Sequence, residues 1–332
     1  MKVIIVRCGA LGDLVYATSV IDALILQYGD SVQIDFVCTP GSAQLFKNDP
    51  RVNQVFHLKH KKVPIFFSVE KRKIITYSKQ NIYDLLINFE YGSQFTDLLE
   101  NIDAKEKIGA QFEDILIDKK INRGEAQKLF LQSKISQENL AKAYPKVHTL
   151  EDDEIMSKFN LNQNYLVLSP SNSHVNRSGL NHRAWENDSW TKLIQKLSNE
   201  IQIVIVGAKN EQTFFERLRP FSSNTIDLVG KNSIEELSSI IKFAQGVICT
   251  DSAVGHIAAA LNTPVFVLMG PNDIITDSPY QTPHNKVYPI SLEIECSPCY
   301  NTKIMKACKE NICMKNISSE LVYNRVKSAI VW

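Results

Sequence analysis

The feature that most constrains the fold is an alternation of short β-branched runs with stretches of helical periodicity, which occurs twice along the chain. The apolar runs of the first half are residues 3–7, 32–38, 52–57 and 85–89. Those of the second half are residues 165–168, 202–206, 226–229, 247–249 and 265–268. Strands that alternate with helices are typical of parallel sheets covered by helices on both faces. The sequence therefore predicts an α/β protein with doubly wound sheets.

The length of the chain predicts two domains. Its 332 residues exceed the roughly 150 residues of a typical domain about twofold. Because the pattern restarts after a polar stretch at 111–150, which is interpreted as helices and loops, we place the domains at 1–158 and 159–332. The helical spacing at about 318–330 predicts a final helix that closes the chain. We expect this helix to pack back on the first domain. Ligands of doubly wound sheets bind beyond the carboxyl ends of the strands, so the loops there are candidate sites.

The charge balance and the hydropathy pattern exclude several classes of protein. With 37 basic and 36 acidic residues, the chain has no overall positive field, and we expect no nucleic-acid partner. No uncharged apolar run approaches the roughly 18–20 residues of a membrane-spanning helix. The apolar run at the N-terminus is too short for a signal peptide. We therefore expect a cytoplasmic protein, whose seven cysteines are thiols or metal ligands rather than disulfides.

The first candidate site is the turn that directly follows the first strand. Gly9 and Gly12 allow a tight turn that exposes N–H groups at the start of a helix. Their spacing lacks the third glycine of the dinucleotide fingerprint, and no acidic residue follows the second strand to hold a ribose. The turn therefore argues against nicotinamide binding. Asp13, on the first turn of the helix, is a candidate general base; alternatively, it only stabilises the helix N-terminus.

A second candidate site is the turn that begins at Asp251, between an apolar strand and an Ala-rich helix. Free N–H groups and the positive end of a helix suit an anionic group such as a phosphorylated leaving group. Asp251 and Ser252 are also common helix caps, and His256 is alternatively a buried core residue. The small residues Ser252, Ala253 and Gly255 allow close approach of a ligand, which favours the binding interpretation.

A third candidate site follows the first strand of the second half. Ser169 and Ser171 supply hydroxyls, and Arg177, His182 and Arg183 supply cations. Hydroxyls and guanidinium groups beyond a strand suit a diphosphate, because Arg can pair two oxygens at once. The alternative for a single loop of this kind is a solvated polar loop. Three such loops, each after a strand, together indicate a binding cleft.

Six motifs follow one another along the chain in a fixed order. They are the turn at 9–13, the Ser-Pro-Ser loop that leads to Arg-Ala-Trp at 169–185, and the segments 207–211, 228–237, 251–256 and 269–272. Together they resemble the heptosyltransferase family, glycosyltransferase family 9, which builds the inner core of lipopolysaccharide. The resemblance implies a GT-B fold, in which two Rossmann-like domains face a central cleft. It also implies an acceptor bound by the first domain, an ADP-sugar bound by the second, and an inverting transfer that needs no metal or other cofactor.

Carried over residue by residue, the resemblance makes Asp13 the catalytic base. It places Arg183 at the diphosphate, Glu211 near the ribose and Asn232 in a nucleoside-contacting turn. The predicted donor-binding residues are Ser169, Ser171, Arg183, Glu211, Asn232, Asp251, Ser252, Gly255 and His256. The predicted acceptor-side residues are Arg7, Gly9 and Gly12. Ala253 departs from the family, which usually has Gly there, and the stretch 177–183 is longer than usual.

The resemblance implies that a heptose passes from ADP-L-glycero-D-manno-heptose to a lipopolysaccharide-core saccharide. One alternative is a protein acceptor, a serine of an exported autotransporter, and another is a different nucleotide sugar as donor. A third interpretation is a catalytically inactive module that binds a nucleotide sugar, in which Asp13 is only a helix cap. These hypotheses differ in turnover, acceptor range and metal content.

Four of the seven cysteines fall within one short segment, with the spacing C-x2-C-x8-C-x4-C. They are Cys296, Cys299, Cys308 and Cys313. Four thiolates in such a segment can close a tetrahedral site, so a structural zinc or iron ion is a candidate. Many family members with a similar segment are metal-free, whereas protein-modifying relatives carry an iron-binding cysteine finger. Cys8, Cys38 and Cys249 lie at strand ends and are expected to be small core residues.

Residues 59–73 combine six cations with a short apolar run. The cations are Lys59, Lys61, Lys62, Lys71, Arg72 and Lys73, and the apolar run is 64–67. Basic clusters next to apolar residues suit an anionic membrane surface or a phosphorylated lipid acceptor. The alternative is an ordinary solvated helix face. The first interpretation predicts a peripheral protein that transiently contacts the inner leaflet at the cytoplasmic face of the inner membrane.

Overall fold

Each half of the chain builds its own parallel sheet in the structure, a computed structural model that describes residues 1–60, 68–112, 120–150 and 152–332. The two compact units are Met1–His148 and Thr149–Trp332. Every strand pair among the described residues is parallel. Helical segments lie between consecutive strands. The α/β class predicted from the alternating pattern is confirmed.

The first unit contains a five-stranded sheet. Its strands are β1 (Lys2–Val6), β2 (Gln33–Cys38), β3 (Gln54–His57), β4 (Tyr83–Asn88) and β5 (Ala104–Gly109), in the order β3-β2-β1-β4-β5. Its helices are α1 (Leu11–Tyr28), α2 (Val69–Gln80), α3 (Thr96–Asn101), α4 (Arg123–Leu129) and α5 (Gln137–Lys142), with 3₁₀ turns at Ser42–Phe46 and Ser93–Phe95. Residues 3–6 of the central strand β1 are fully buried, as expected where helices cover both faces of a sheet.

The second unit contains a six-stranded sheet. Its strands are β6 (Tyr165–Ser169), β7 (Gln202–Ile205), β8 (Thr225–Asp227), β9 (Gly246–Thr250), β10 (Val265–Leu268) and β11 (Val287–Ile290), in the order β11-β10-β9-β6-β7-β8. Its helices are α6 (Asp152–Lys158), α7 (Asn187–Ser198), α8 (Gln212–Glu216), α9 (Ile234–Phe243), α10 (Ala253–Ala260), α11 (Ile274–Asp277), α12 (Lys303–Ala307), α13 (Ile312–Lys315) and α14 (Ser319–Ala329), with a 3₁₀ turn at Lys209–Glu211. Trp185 and Trp190 anchor its core with an edge-to-face ring contact at 4.9 Å.

In both sheets the strand order reverses beside the first strand of the unit. In the first unit, β2 and β3 lie on one side of β1, and β4 and β5 lie on the other. In the second unit, β7 and β8 lie on one side of β6, and β9, β10 and β11 lie on the other. Ligands of such sheets bind beyond the carboxyl ends of the strands at this switch point. The ends of β1 and β4, and those of β6 and β9, are therefore the places to look for functional groups.

Two edge strands, β5 and β11, have no counterpart among the apolar runs of the sequence. β5 reads AKEKIG, and β11 reads VYPI with Pro289 in its interior. Edge strands tolerate charges and proline because one side of their backbone makes no ladder hydrogen bonds. The stretch 111–150 forms α4, α5 and loops where it is described, as predicted, and residues 113–119 lie outside the described residues.

Helices α6 and α14 both belong to the second unit. Lys158 of α6 forms an ion pair with Glu236 of α9. α14 packs against α7 and adds Val322 and Val326 to the core of the second unit. The structure therefore divides the chain at 148/149, whereas the sequence pattern placed the boundary at 158/159. The apolar face of the final helix is used within its own unit, and its packing on the first domain stays a prediction.

Candidate active site

Asp13 lies at the carboxyl end of β1, in the first turn of α1. Its Oδ2 accepts a hydrogen bond of 2.8 Å from the Ala10 N–H, and its Oδ1 accepts one of 2.8 Å from Arg7 Nη2. The side chain is 29% exposed. Because a carboxylate has about four lone-pair positions, these two contacts leave capacity to accept a further proton or hydrogen bond. The geometry accommodates both interpretations of Asp13, as a stabiliser of the helix N-terminus and as a base.

Gly9 makes room for the carboxylate of Asp13. A Cβ atom on Gly9 would lie 2.6 Å from Asp13 Oδ2 and 2.7 Å from Asp13 Cβ, closer than non-bonded atoms approach. Gly12 differs, because it lies within α1 and is half-buried. A tight turn is the expected reason for both glycines. For Gly9 the structure adds a second reason, which is the packing of the Asp13 side chain across the turn.

Glu90 is a second carboxylate beside this turn, and no motif points to it. It follows β4, the strand that pairs with β1, so strand order brings it close to Asp13. Glu90 Oε1 accepts a hydrogen bond of 2.7 Å from the Cys8 N–H and lies 3.4 Å from Arg7 Nη1. Arg7 thus bridges the two carboxylates. The signal available in the sequence is the position of Glu90 directly after the apolar run 85–89.

Predicted donor-binding residues from separate loops meet at the switch point of the second sheet. Ser171 Oγ donates a hydrogen bond of 2.5 Å to Glu211 Oε2, and the same oxygen accepts one of 2.8 Å from the Ala208 N–H. Thr250 Oγ1, at the end of β9, donates a hydrogen bond of 3.3 Å to the Ser171 carbonyl. Ser169, the last residue of β6, is buried. The loops after β6, β7 and β9 are therefore joined by direct hydrogen bonds.

Arg183 is held between a carboxylate and an aromatic ring. Its Nη1 lies 3.5 Å from Asp251 Oδ2, and its guanidinium carbon lies 4.5 Å from the centroid of the Tyr300 ring. This distance suits a cation–π contact. Arg183 Nε is buried and makes no hydrogen bond with any residue that the structure describes. A buried donor without an acceptor is costly, which points to an anionic ligand. Tyr300 is a residue that the sequence pattern missed.

The loop that carries Arg183 is positively charged. The pKa of His174 is lowered to about 4, first by burial and then by the charges of Arg183, Arg177 and His182. These four side chains are therefore close enough to disfavour a further positive charge. A loop with this electrostatic character suits an anion such as a diphosphate, in agreement with the predicted role of Arg183.

The N-terminus of α10 presents backbone N–H groups without a side-chain cap. Ser252 occupies the cap position, but its side chain makes no capping hydrogen bond, and the first turn contains no acidic residue. His256 follows in the same turn and is buried. The hydroxyl of Ser252 therefore does not cap α10, and this alternative interpretation of Ser252 is wrong. Gly255 has a packing role, because a Cβ atom there would lie 3.0 Å from Cys249 Sγ of β9.

Asn232 lies at the same edge of the sheet, after β8. Its Nδ2 donates a hydrogen bond of 3.1 Å to the Ser233 carbonyl. Its Oδ1 is buried and accepts no hydrogen bond from the described part of the chain. Ser233 and Glu236 form the capping box that starts α9 directly after Asn232. The structure therefore fixes the backbone of this turn and leaves one amide oxygen for a ligand.

The four clustered cysteines are neighbours in the structure. The pKa of Cys313 is raised to about 11, first by burial and then by the nearby Cys299, Cys296 and Cys308. Burial also raises the pKa of Cys299, which is buried like Cys313, whereas Cys296 and Cys308 are half-buried. Within the described ranges, no three or more His, Cys, Asp or Glu side chains are arranged to hold a metal ion. The thiols as placed do not form the tetrahedral site of zinc or iron, and the structural metal stays a prediction.

Only part of the basic segment 59–73 is an exposed cationic surface. Lys59, Arg72 and Lys73 are exposed. Lys71 is buried and forms an ion pair with Asp97, so it does not belong to the cationic surface that the sequence predicts. The two remaining lysines and the apolar run 64–67 lie outside the described residues. Across the ranges that the structure covers, no helix combines the length and apolar character that a membrane crossing requires.

Fold and site together define a protein with two Rossmann-like units, a carboxylate at one switch point and a helix start without a side-chain cap at the other. The family model of glycosyltransferase family 9 (heptosyltransferase) matches residues 122–309, more than half of the chain. The chain belongs to this family and is a glycosyltransferase of the heptosyltransferase type, as the motifs indicate.

Known proteins resemble the chain over most of its length. Lipopolysaccharide heptosyltransferase 3 of Escherichia coli is 23% identical over 290 residues, which cover 81% of this chain and 83% of the relative. The crystal structure of a family 9 glycosyl transferase from Veillonella parvula superposes with a TM-score of 0.81 at 16% identity, over 98% of this chain and 96% of that one. E. coli heptosyltransferase WaaC with ADP gives a TM-score of 0.71 at 20% identity, over 99% of each chain. The fold is GT-B, as predicted.

Proposed function

We propose that this chain transfers a heptose from ADP-L-glycero-D-manno-heptose to a lipopolysaccharide-core saccharide, with inversion at the anomeric carbon. The observation that carries the proposal is the uncapped start of α10, which directly follows the Arg183–Asp251 pair. Free N–H groups next to a guanidinium suit a diphosphate. Relatives named lipopolysaccharide heptosyltransferase, and a structural neighbour bound to ADP, support this choice of donor and acceptor.

In the proposed reaction an acceptor hydroxyl oxygen attacks the anomeric carbon from the face opposite ADP. The bond from that carbon to the phosphate oxygen breaks, and its electron pair leaves with ADP. The hydroxyl proton moves to the carboxylate of Asp13, which acts as general base. The α10 N-terminus and Arg183 stabilise the charge that grows on the diphosphate. The paired side chains of Ser171 and Glu211 supply the oxygens that hold the ribose.

The proposed transfer needs no metal or other cofactor, because the leaving group is stabilised by backbone N–H groups and a guanidinium. We expect turnover to continue after extensive treatment with EDTA. The cysteine segment then acts structurally, by carrying Tyr300 to Arg183. Metal analysis of the purified protein tests the remaining prediction of a zinc or iron ion at Cys296, Cys299, Cys308 and Cys313.

The decisive experiment incubates the protein with a panel of ADP-, UDP- and GDP-sugars and with several acceptors, and identifies the products by mass spectrometry. We expect a heptose from the ADP-sugar on a truncated core saccharide. Transfer only to a serine of an exported polypeptide would overturn the saccharide acceptor. Binding of ADP without turnover of any donor would overturn the enzymatic proposal in favour of a binding module.

The acceptor of the proposed reaction is anchored in a membrane, so the protein has to work at an anionic surface. Lys59, Arg72 and Lys73 supply exposed positive charge in the first unit. Each such cation contributes about 1 kcal/mol near an anionic bilayer. We therefore propose a cytoplasmic protein that transiently contacts the inner leaflet through this face.

A further inference from the structure

We propose that Glu90 is a positioning residue for the transfer reaction, because it shares the guanidinium group of Arg7 with Asp13 and so keeps Asp13 basic enough to take the acceptor proton. This inference rests on the proposed function, which makes Asp13 the base. It adds a residue that lies outside the six motifs and that the strand order alone brings to the turn.

The end of β1 and the end of β4 hold Arg7 between the two carboxylates. Its Nη2 donates a hydrogen bond of 2.8 Å to Asp13 Oδ1. Its Nη1 donates one of 3.0 Å to the Phe89 carbonyl and lies 3.4 Å from Glu90 Oε1. Glu90 is itself fixed, because the same oxygen accepts a 2.7 Å hydrogen bond from the Cys8 N–H. All three charged groups therefore have defined positions.

Charge balance gives this arrangement its chemical effect. A cation against a carboxylate favours the ionised form and makes it a weaker base, and a second carboxylate opposes that effect. The side chains of Arg7, Asp13 and Glu90 are 16%, 29% and 13% exposed, so solvent and salt screen them less than surface charges. One guanidinium and two carboxylates leave a net charge of −1 at this end of the sheet. Asp13 thus faces a cation that is already partly neutralised.

Other titratable groups around the cluster do not change its charge near neutral pH. Burial, together with the charges of Glu90 and Cys38, raises the pKa of Cys8 well above its usual value, against the effect of Arg7. Burial raises the pKa of Cys38 to about 12. Burial also raises the pKa of Tyr91, again against Arg7. These two thiols and the phenol remain protonated over the range in which a carboxylate titrates.

Two substitutions with opposite expected effects test the proposal. Glu90→Gln removes the charge and keeps a side-chain oxygen for the Cys8 N–H. Arg7→Met removes the cation and keeps a side chain of similar length. A neighbouring charge moves the pKa of a carboxyl group by about one unit. The acid limb of the pH dependence of kcat should therefore move to lower pH by about half to one unit in Glu90→Gln, and to higher pH in Arg7→Met. Glu100→Gln, on the exposed side of α3, is the matched control and should leave the limb in place.

A measurement that needs no substrate follows the same group. In ¹³C-labelled protein, the side-chain carboxyl signal of Asp13 is assigned by its loss in Asp13→Asn and titrated in the wild type and both variants. The midpoints should move in the directions expected for kcat, and circular dichroism melts show whether each variant is folded. An unchanged midpoint in folded Glu90→Gln overturns the role of Glu90. Full turnover by Asp13→Asn instead overturns the base assignment, so the two failures are distinguishable.

Discussion

Asp13 has two roles. Its carboxylate oxygens accept hydrogen bonds at the start of α1, and in the proposed reaction the same carboxylate takes the proton of the acceptor hydroxyl. Asp13→Asn keeps an oxygen that accepts a hydrogen bond but cannot take a proton at neutral pH. We expect turnover to fall by about 10²–10⁴-fold, the usual contribution of a positioned general base. ADP binding measured by calorimetry should not change, since the predicted donor residues lie in the other unit. Near-normal turnover would show that Asp13 only stabilises α1.

Tyr300 should contribute to donor affinity through the guanidinium that it supports. Tyr300→Leu removes the ring beneath Arg183, whereas Tyr300→Phe keeps it and serves as the matched control. A cation–π contact contributes about 0.5–2 kcal/mol, so the Kd for ADP should rise about two- to thirtyfold in the Leu variant. Calorimetric titration measures the change. Equal affinities in wild type, Leu and Phe variants would exclude the contact from donor binding.

The turn between β1 and α1 works only if a side chain is absent at Gly9. In Gly9→Ala the new Cβ meets the Asp13 carboxylate, which has to move. A misplacement of about 1 Å can cost about 100-fold in rate, and we expect turnover to fall by at least about tenfold with the fold retained. Gly41→Ala is the control, because φ is −70° there and no heavy atom lies within 4 Å of an added Cβ. Comparable turnover in both variants would contradict the packing argument.

The central strands and amphipathic helices were predictable because a single periodicity dominates each of them. The bounds of β10, Val265–Leu268, agree with the predicted apolar run at both ends. The edge strands β5 and β11 were not predictable from periodicity, since charges and a proline replace the apolar run. An edge position is a property of the assembled sheet, and it relaxes the local sequence requirement.

The residues of the candidate site also fall into two groups, those that the sequence locates and those that it does not. Asp13, Arg183 and Glu211 follow strands within recognisable motifs, so the sequence locates them. Glu90 reaches its place because β4 pairs with β1, and strand order has no local signal. Tyr300 reaches Arg183 because its segment is anchored elsewhere, through a 2.8 Å hydrogen bond from its N–H to the Pro271 carbonyl. Residues that strand pairing or a returning loop brings to the site can be located only from the folded structure.

The exposed cations of the first unit should bind anionic membranes in a salt-dependent manner. Reversal of Lys59, Arg72 and Lys73 to Glu should reduce sedimentation with anionic liposomes, at about 1 kcal/mol for each cation. The attraction should weaken as salt rises, because the Debye length is about 8 Å at physiological ionic strength. Lys71 is left unchanged, since it is buried against Asp97.

Activity on two acceptors separates the explanations for this surface. The triple variant should lose activity on a lipid-embedded acceptor and retain most of it on a short, water-soluble one. A control with the same charge change reverses three other exposed lysines of the first unit, Lys47, Lys105 and Lys142. Equal loss on both acceptors would show that the cations contact the saccharide or hold the fold. No loss on either would identify an ordinary solvated face.

The contribution of α14 to the second core sets a limit on how the protein can be dissected. Trp185 Nε1 donates a hydrogen bond of 2.7 Å to the Ile317 carbonyl, and Val322 and Val326 pack in the same cluster. The match to the family model ends at residue 309, before Ile317, Val322 and Val326. A recombinant fragment that ends with this match would expose the apolar surface that α14 covers, and we expect the fragment to precipitate. A donor-binding fragment suitable for crystallisation or inhibitor screening has to extend through Ile330.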